Sequence, residues 1–220
     1  MTMTIASSRP YQRLTPDNAV LLLIDHQIGP LWELEFADVR RAVAVFAKAA
    51  ASLGVPTVLT MIAPDQWGPV IPELGVATPD ADVIERTHVN AWNDVRVRNA
   101  VEAYGRPKLI IAGSVLEVGV VLCARAAARD GHEVYAALDV SGQASHSGIV
   151  TLMESGVIVT CSTLVLTEIT REPAARTPAR RVAEDRWTPA VPAPPVPLWR
   201  RPGDEPPDTT TSRLRITTAR

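Results

Sequence analysis

The stretch KLIIAGSVLEVGVVLC, residues 108–123, decides the fold. Its first six residues form a mostly apolar run, which is typical of a strand buried on both faces. The helical periodicity that follows predicts a helix from Glu117 to Asp130, which Gly131 ends. A sharp turn, AGSVLEVG, joins the two elements. In open parallel sheets, ligands bind near such turns because these follow the carboxyl ends of strands.

The same alternation of strand and helix patterns continues through most of the chain. Continuous apolar runs predict buried strands, and apolar stripes of period 3.6 predict helices. The predicted strands are residues 18–25, 55–61, 83–85, 108–113, 132–138 and 157–161, and the main predicted helices are residues 36–53, 94–104, 117–130 and 149–155. Strands alternating with helices predict an α/β fold, a mainly parallel six-stranded sheet with helices on both faces in a three-layer sandwich.

Three segments are expected along the chain. Residues 1–16 form an N-terminal arm, and residues 17–172 form the domain. Residues 173–220 are Pro-rich, polar and aperiodic; such a composition buries too little apolar surface to offset chain entropy, so a flexible tail is expected. Within the domain, the loop at 63–82 is dense in Pro and Gly, and its length indicates either a functional role or a subunit contact, with Trp67 as a candidate cover for a site.

Composition argues against several classes of function. The formal net charge of the 220 residues is −2, which does not favour nucleic acid or an anionic membrane as a partner. No apolar run reaches the roughly 18 residues of a membrane span, and the N-terminus does not read as a signal peptide. Cys123 and Cys161 give neither a disulfide framework nor a metal-ligand spacing. A soluble, cytoplasmic protein without a metal or cofactor is therefore expected.

Residues at the ends of the predicted strands are the candidates for chemistry. Asp25 is the most suggestive, because an acid that ends an apolar run is partly desolvated and its pKa is open to tuning. A turn or helix-capping aspartate is the alternative interpretation. The backbone N–H groups at the start of the helix after residue 113 could hold an oxyanion or a carboxylate. An ordinary strand-to-helix turn is the alternative there.

Three ordered motifs carry a resemblance to a known family. They are LLLIDHQIG at residues 21–29, RTHVNAW at 86–92, and the segment from residue 108 to the LDVSG turn that ends at residue 142. Together they resemble the isochorismatase-like hydrolases, and most of all the YcaC-type branch, over residues 17–172. The resemblance implies a Rossmann-like sheet in the order 3-2-1-4-5-6 and a homo-oligomer that acts on a small molecule.

Most members of that family are cysteine hydrolases of amides with an Asp, Lys and Cys triad. The resemblance places these positions at Asp25, Arg86 and Gly119, and it places the oxyanion-binding amides at Val115 and Gly119. It also implies a cis peptide bond between Ser114 and Val115. Two of the three side chains therefore differ from the family pattern. Glycine cannot form an acyl-enzyme, and arginine stays charged and cannot shuttle a proton at neutral pH.

Several further residues are expected around the site. The position that usually carries Thr before the helix is Leu116, so a capping hydroxyl is absent. His88, Asn90 and Trp92 lie close in sequence to the arginine that ends the third strand and are candidate pocket-lining residues, together with Ser114 and Leu116.

Three functions remain open on the sequence. In the first, Asp25 protonates the alkene carbon of an enol ether, water adds to the resulting oxocarbenium ion, Gly119 makes room for the substrate and Arg86 clamps a substrate carboxylate. In the second, the chain is a catalytically inactive ligand-binding protein or oligomeric structural subunit. In the third, Cys123 is a displaced nucleophile for amide hydrolysis, although a buried core cysteine is the simpler interpretation.

Overall fold

Six parallel strands form a single sheet in the computed structural model, which describes residues 11–31 and 37–170. The strands are β1 (Ala19–Ile24), β2 (Thr57–Ile62), β3 (Asp82–Arg86), β4 (Lys108–Gly113), β5 (Glu133–Ala137) and β6 (Ile158–Thr160). Their order is β3-β2-β1-β4-β5-β6 and every pairing is parallel. The predicted fold class and strand order are confirmed.

Helices cover both faces of the sheet. Within the described residues they are α1 (Ala37–Ser52), α2 (Pro64–Trp67), α3 (Pro72–Ala77), α4 (Val95–Glu102), α5 (Val121–Arg129), α6 (His146–Glu154) and α7 (Ser162–Ile169). A wider, π-helical turn at Leu116–Val120 precedes α5, so the helix predicted from Glu117 begins in a different geometry. No side chain caps this turn, in keeping with the missing threonine hydroxyl at Leu116.

Strand β1 joins the two halves of the hydrophobic core. All six of its side chains are buried, and alternation along the strand sends them to opposite faces. Leu21 and Leu23 belong to a cluster with α1, α3 and α7, whereas Leu22 and Ile24 belong to a second cluster with α4, α5 and α6. The continuous apolar run in the sequence is thus explained by a strand with a core on each side.

Residues 11–16 of the predicted arm pack against the body of the domain. Leu14 is fully buried in the first cluster, and its N–H donates to the Glu168 carboxylate at 3.0 Å. Two residues before Leu14, the carbonyl of Gln12 accepts a hydrogen bond from the buried ammonium of Lys108, which also donates to Glu133 at 2.8 Å. The predicted tail at 173–220 and the predicted domain end at 171–172 lie outside the described residues.

The register of the sheet brings the carboxyl ends of its middle strands to one edge. Ile24, the last residue of β1, pairs with Thr60 on one side and with Gly113 on the other. Farther out, Ile62 of β2 pairs with Arg86, the last residue of β3. Residues that follow β1, β3 and β4 therefore converge on one place, the position at which ligands bind in open α/β sheets.

Candidate functional site

A cavity of about 500 Å³ opens at the carboxyl ends of β1, β3 and β4. Asp25, Arg86 and Gly119, the three positions that the resemblance places in a catalytic triad, all line it. Its volume is within the range of small-molecule sites, roughly 300–1,000 Å³. Residues separated by up to 94 positions in the sequence are thus brought together at one concave surface.

Asp25 is held in an unusual backbone conformation. Its φ is 53°, in the left-handed region that non-glycine residues rarely adopt. Its N–H donates to the Thr60 carbonyl at 3.1 Å, and its carboxylate accepts from the Thr60 hydroxyl at 2.9 Å. Strain of this kind costs about 1–3 kcal/mol and is concentrated at functional sites, because the surrounding structure must maintain it.

Burial raises the pKa of the Asp25 carboxyl above its ordinary value of 3.8. The Arg86 guanidinium and the Thr60 hydroxyl oppose this shift by stabilising the carboxylate, but the loss of hydration is the larger effect on the pKa. The nearby positive charge of Arg86 lowers the pKa of Asp25, but it does not hold this pKa below its usual range. Asp25 is therefore a carboxyl that holds its proton to higher pH than an exposed aspartate.

The two terminal nitrogens of Arg86 are committed to the protein itself, whereas its Nε has no partner among the described residues. It is 2% exposed and ion-pairs with Asp25, while its other terminal nitrogen donates to the carbonyls of His88 and Val89, at 3.0 Å for the latter. A bidentate clamp on a substrate carboxylate needs two free, parallel donors. The predicted clamp role for Arg86 is wrong for this arrangement, and the guanidinium instead positions the acid.

The turn after β4 differs from the turn that the resemblance implies. Every peptide bond in the described residues is trans, so the predicted cis bond between Ser114 and Val115 is absent. The Val115 carbonyl accepts the N–H of Gly119 at 2.9 Å. This N–H is already hydrogen-bonded within the turn. The prediction that the Gly119 amide holds an oxyanion is therefore wrong for this conformation. Val115 remains among the residues of the cavity wall.

Gly119 leaves limited free space beside β1. A β-carbon built at this position would lie 3.3 Å from Cγ2 of Ile24, closer than an ordinary van der Waals contact. A side chain at this position, such as that of a cysteine nucleophile, would therefore need Ile24 to give way slightly.

The turn is fixed from behind by the LDVSG segment. Gly142 donates its N–H to the Gly113 carbonyl at 2.9 Å, and the Ser141 hydroxyl accepts the Gly113 N–H at 3.2 Å. A β-carbon at Gly142 would stand 1.9 Å from the backbone oxygen of Ser114. Only glycine fits this approach, which explains the sequence of the turn.

Ser114 presents an unpaired hydroxyl to the site. The residue is 5% exposed and lines the cavity, and its Oγ has no hydrogen-bond partner among the described residues. Unpaired buried hydroxyls are uncommon and call for an explanation, such as a ligand or water that completes the hydrogen bond. Leu116, also predicted to line the pocket, lies in its wall.

The remaining predicted pocket residues lie elsewhere. Among the described lining residues, His88, Asn90 and Trp92 are absent, and the segment contributes Val89 instead. Trp92 is packed in the second core cluster, where its indole N–H donates to Asp130 at 2.7 Å. Asn90 accepts the Trp92 N–H and caps a short helical turn. The prediction that these three side chains line the pocket is corrected, since the turn rotates them away from the cavity.

Cys123 does not face the cavity. Its side chain is fully buried in the second core cluster, and burial raises the pKa of the thiol to about 12. A thiol with this pKa forms almost no thiolate at neutral pH, and the thiolate is the nucleophilic species. The structure therefore contradicts the displaced-nucleophile hypothesis, and Cys123 is a core residue.

Gln27 is a site residue that the sequence reasoning missed. Its amide donates to the carbonyls of Ile62 at 3.1 Å and Gly68 at 2.6 Å, and its oxygen accepts the Ile62 N–H at 2.9 Å. These bonds hold the predicted long loop over the site, where Trp67 lines the cavity. The available signal was position, because Gln27 follows the strand-ending acid by two residues.

Glu117 is the third charged residue of the cavity wall and was also missed as a site residue. Its carboxylate accepts the N–H of Ser145 at 2.8 Å, at the N-terminus of α6. Hydrogen bonds from the Ser145 side chain and N–H lower the pKa of Glu117. This acid is therefore ionised and engaged in holding α6.

The described residues hold neither a metal-binding cluster nor a membrane-spanning helix. No group of three or more His, Cys, Asp or Glu side chains in this part of the chain is arranged to hold a metal ion. None of the described helices combines the length and apolar character that crossing a membrane requires.

A six-stranded parallel sheet in this order, with helices on both faces and a cavity at its carboxyl edge, defines a Rossmann-like α/β domain. The sequence profile described as "Isochorismatase domain" matches residues 19–163, so the chain belongs to the isochorismatase family. It is 36% identical over 140 residues to the probable hydrolase YcaC of Escherichia coli, covering 61% of this chain and 67% of that relative.

Solved structures agree with this assignment. The crystal structure of Escherichia coli YcaC, described as an octameric hydrolase of unknown specificity, has a TM-score of 0.70 and 34% identity, over 75% of this chain and 85% of that one. YcaC from Pseudomonas aeruginosa, solved with hexane-2,5-diol and covalent acrylamide, has a TM-score of 0.70 and 30% identity, over 75% and 86% of the two chains.

The close approach at Gly142 gives a direct test of the site architecture. We expect Gly142→Ala to lower the free energy of unfolding by at least about 3 kcal/mol, because the Ser114 backbone must move. Gly75→Ala is the matched control, since a β-carbon there meets nothing within 4 Å and the position is helical. Chemical denaturation of both variants measures the difference. Equal stabilities would show that the turn does not hold this geometry.

Proposed function

We propose that the protein is a hydrolase of small molecules that works without a covalent nucleophile and uses Asp25 as its general acid. The observation that carries the proposal is a desolvated carboxyl with a raised pKa, held in a strained backbone conformation at the wall of the cavity. Gly119 supplies space rather than a nucleophile. Membership of a hydrolase-like family supports the reaction class.

An enol ether is the substrate type that fits an acid of this kind. Asp25 donates its proton to the terminal alkene carbon, and the electron pair of the double bond forms the new C–H bond. The ether oxygen stabilises the cation as an oxocarbenium ion. Water adds to the oxocarbenium carbon, the one bonded to the ether oxygen, and returns a proton to the Asp25 carboxylate. The hemiketal then collapses to a ketone and an alcohol, and the acid is regenerated.

The neighbours of Asp25 suit both halves of this cycle. Before the transfer, burial favours the protonated acid. After the transfer, Arg86 and the Thr60 hydroxyl lie against the new carboxylate and stabilise it. The oxocarbenium ion is a strong electrophile, so water needs no thiol and little base assistance to attack it. Arg86 in this proposal is a positioning residue and never transfers a proton.

A ligand-binding protein without turnover is the second candidate. It is favoured by the replacement of the two other catalytic side chains by Arg86 and Gly119, and by the absence of an available Gly119 amide. The cavity itself is compatible with both candidates. They differ in whether the proton of Asp25 is used.

We also propose that the chain forms a homo-oligomer, as the octameric relative does. The described surface supports this with large apolar side chains, among them Val76 at 83% and Met153 at 62% exposure, which association would remove from water. Light scattering coupled to size exclusion should give a mass that is a multiple of the single-chain mass. A monomeric mass at micromolar concentration would overturn this proposal.

Release of the keto product from enolpyruvyl ethers tests the reaction, with each ether supplied both as the free acid, isochorismate included, and as its methyl ester. We expect the wild-type protein to release methyl pyruvate from the esters and Asp25→Asn to lose at least about 100-fold in kcat/KM, the typical contribution of a general acid. Asp80→Asn is the matched control, because Asp80 is exposed and lies outside this cavity. No release by the wild-type protein, or equal release by Asp25→Asn, would replace the hydrolase with the ligand-binding candidate.

The raised pKa of Asp25 fixes the direction of the pH dependence. Protonated Asp25 is the reactive form, so kcat/KM should be highest at low pH and should fall as pH rises through the pKa of this group. The same shift acts on stability. The native state holds the proton more tightly than the unfolded state. The free energy of unfolding that wild type gains relative to Asp25→Asn is therefore fully present below pH 3.8, the ordinary pKa of the group, and it declines as pH rises through the pKa of the folded state. A rate that rises with pH would contradict the general-acid role.

A further inference from the structure

The charges of the cavity wall leave no surplus cation for an anionic ligand. Its charged side chains, in the described part of the chain, are Arg86, Asp25 and Glu117. When Asp25 is ionised, two acids face one cation. When Asp25 is protonated, the guanidinium is balanced by Glu117. In neither state does the wall carry a net positive charge, and the donors of the terminal guanidinium nitrogens are directed to Asp25 and to backbone carbonyls.

Most of the remaining wall is apolar, and its neutral polar residues are Gln27, Ser114 and Gln143. Among its described residues are Pro30, Ile62, Trp67, Val115, Leu116 and Val118. Transfer of an apolar ligand surface from water onto such side chains is favourable, whereas transfer of a carboxylate loses hydration with no cation to compensate for it. The cavity therefore rewards binding of a ligand whose surface is mostly hydrocarbon.

Two lining residues carry a buried polar atom without a partner among the described residues, Nε of Arg86 and Oγ of Ser114. The Ser114 hydroxyl is buried and unpaired among the described residues, and it lies on the same wall as Gly119. A single hydroxyl recognises a single oxygen, which can be an ether or a carbonyl. Satisfying this hydrogen bond is a favourable change that a purely hydrocarbon ligand cannot provide.

We propose that the cavity is selective for a neutral, mostly apolar small molecule with at least one hydrogen-bonding oxygen, toward which the Ser114 hydroxyl turns, and that it discriminates against carboxylates. This inference rests on the proposed function only in using the same cavity. It restricts the enol ethers considered above to uncharged ones, such as enolpyruvyl ethers whose carboxylates are esterified.

A matched pair of ligands that cannot be turned over tests the selectivity. Methyl 2-(cyclohexyloxy)propanoate and the corresponding carboxylate share a skeleton, and neither contains the alkene that Asp25 would protonate. Isothermal titration of the wild-type protein should show the ester binding at least about tenfold more tightly than the carboxylate. Equal or tighter binding of the carboxylate, or no binding of the ester, would overturn the proposal.

Charge reversal of the wall gives a second readout. Val118 lines the cavity and is 47% exposed, so Val118→Lys can place an unmatched cation at the mouth without burying it. This variant should shift the ratio of the two affinities toward the carboxylate by at least about tenfold. Val150→Lys, at a residue of α6 that is 36% exposed and not among the lining residues, is the control and should leave the ratio unchanged. A ratio that both variants shift equally would overturn the proposal.

The contribution of Ser114 separates from a structural role. Ser114→Ala should weaken ester binding about three- to tenfold, the range expected for one neutral hydrogen bond, while thermal stability is unchanged or higher because an unpaired buried hydroxyl has been removed. Lower stability with unchanged ester affinity would assign the hydroxyl to the fold instead. Selective ester binding without hydrolysis of any enol ether would refute the general-acid proposal and leave this inference standing.

Discussion

The contact between Asp25 and Arg86 is the constraint around which the functional edge of the sheet is organised. Asp25 follows the last residue of β1 and Arg86 is the last residue of β3, so the two side chains meet across the carboxyl end of β2, which lies between those strands. Thr60 of β2 supplies the hydroxyl that bridges this gap. The pair also carries the backbone strain at Asp25, since the ion pair and the Thr60 hydrogen bonds together hold a conformation that aspartate disfavours.

A second layer of hydrogen bonds extends this order into the loops. Gln27 attaches the loop that carries Trp67 to the end of β1, and Gly29 donates its N–H to the Trp67 carbonyl at 2.8 Å. On the other side of the cavity, Gly142 supports the turn after β4. The walls of the cavity are thus held by backbone contacts as well as by side-chain packing, which gives a preorganised site on an otherwise loop-rich edge.

The sequence was sufficient to predict the fold class and the edge of the sheet at which the cavity lies. Continuous apolar runs such as residues 19–24 predict parallel strands. The residues that end parallel strands lie at one edge of the sheet, independently of the loop conformations. Detail was lost where several weak local preferences compete. Nothing in the segment 86–92 indicates that a short helical turn, capped by Asn90, sends Trp92 into the core. Likewise, the balance between hydration and ion pairing that sets the pKa of Asp25 depends on three-dimensional burial, which a single sequence does not give.

Ile24 limits the space that is available at Gly119. Its side chain ends β1 in the second core cluster and stands against Gly119, at 3.3 Å from where a β-carbon would be. A side chain introduced at Gly119 would require Ile24 to give way by a few tenths of an ångström, while a smaller residue at Ile24 alone would leave a void in the core. The space open to a ligand at this turn is therefore coupled to the packing of β1, because the same isoleucine belongs to the core cluster and lines the cavity.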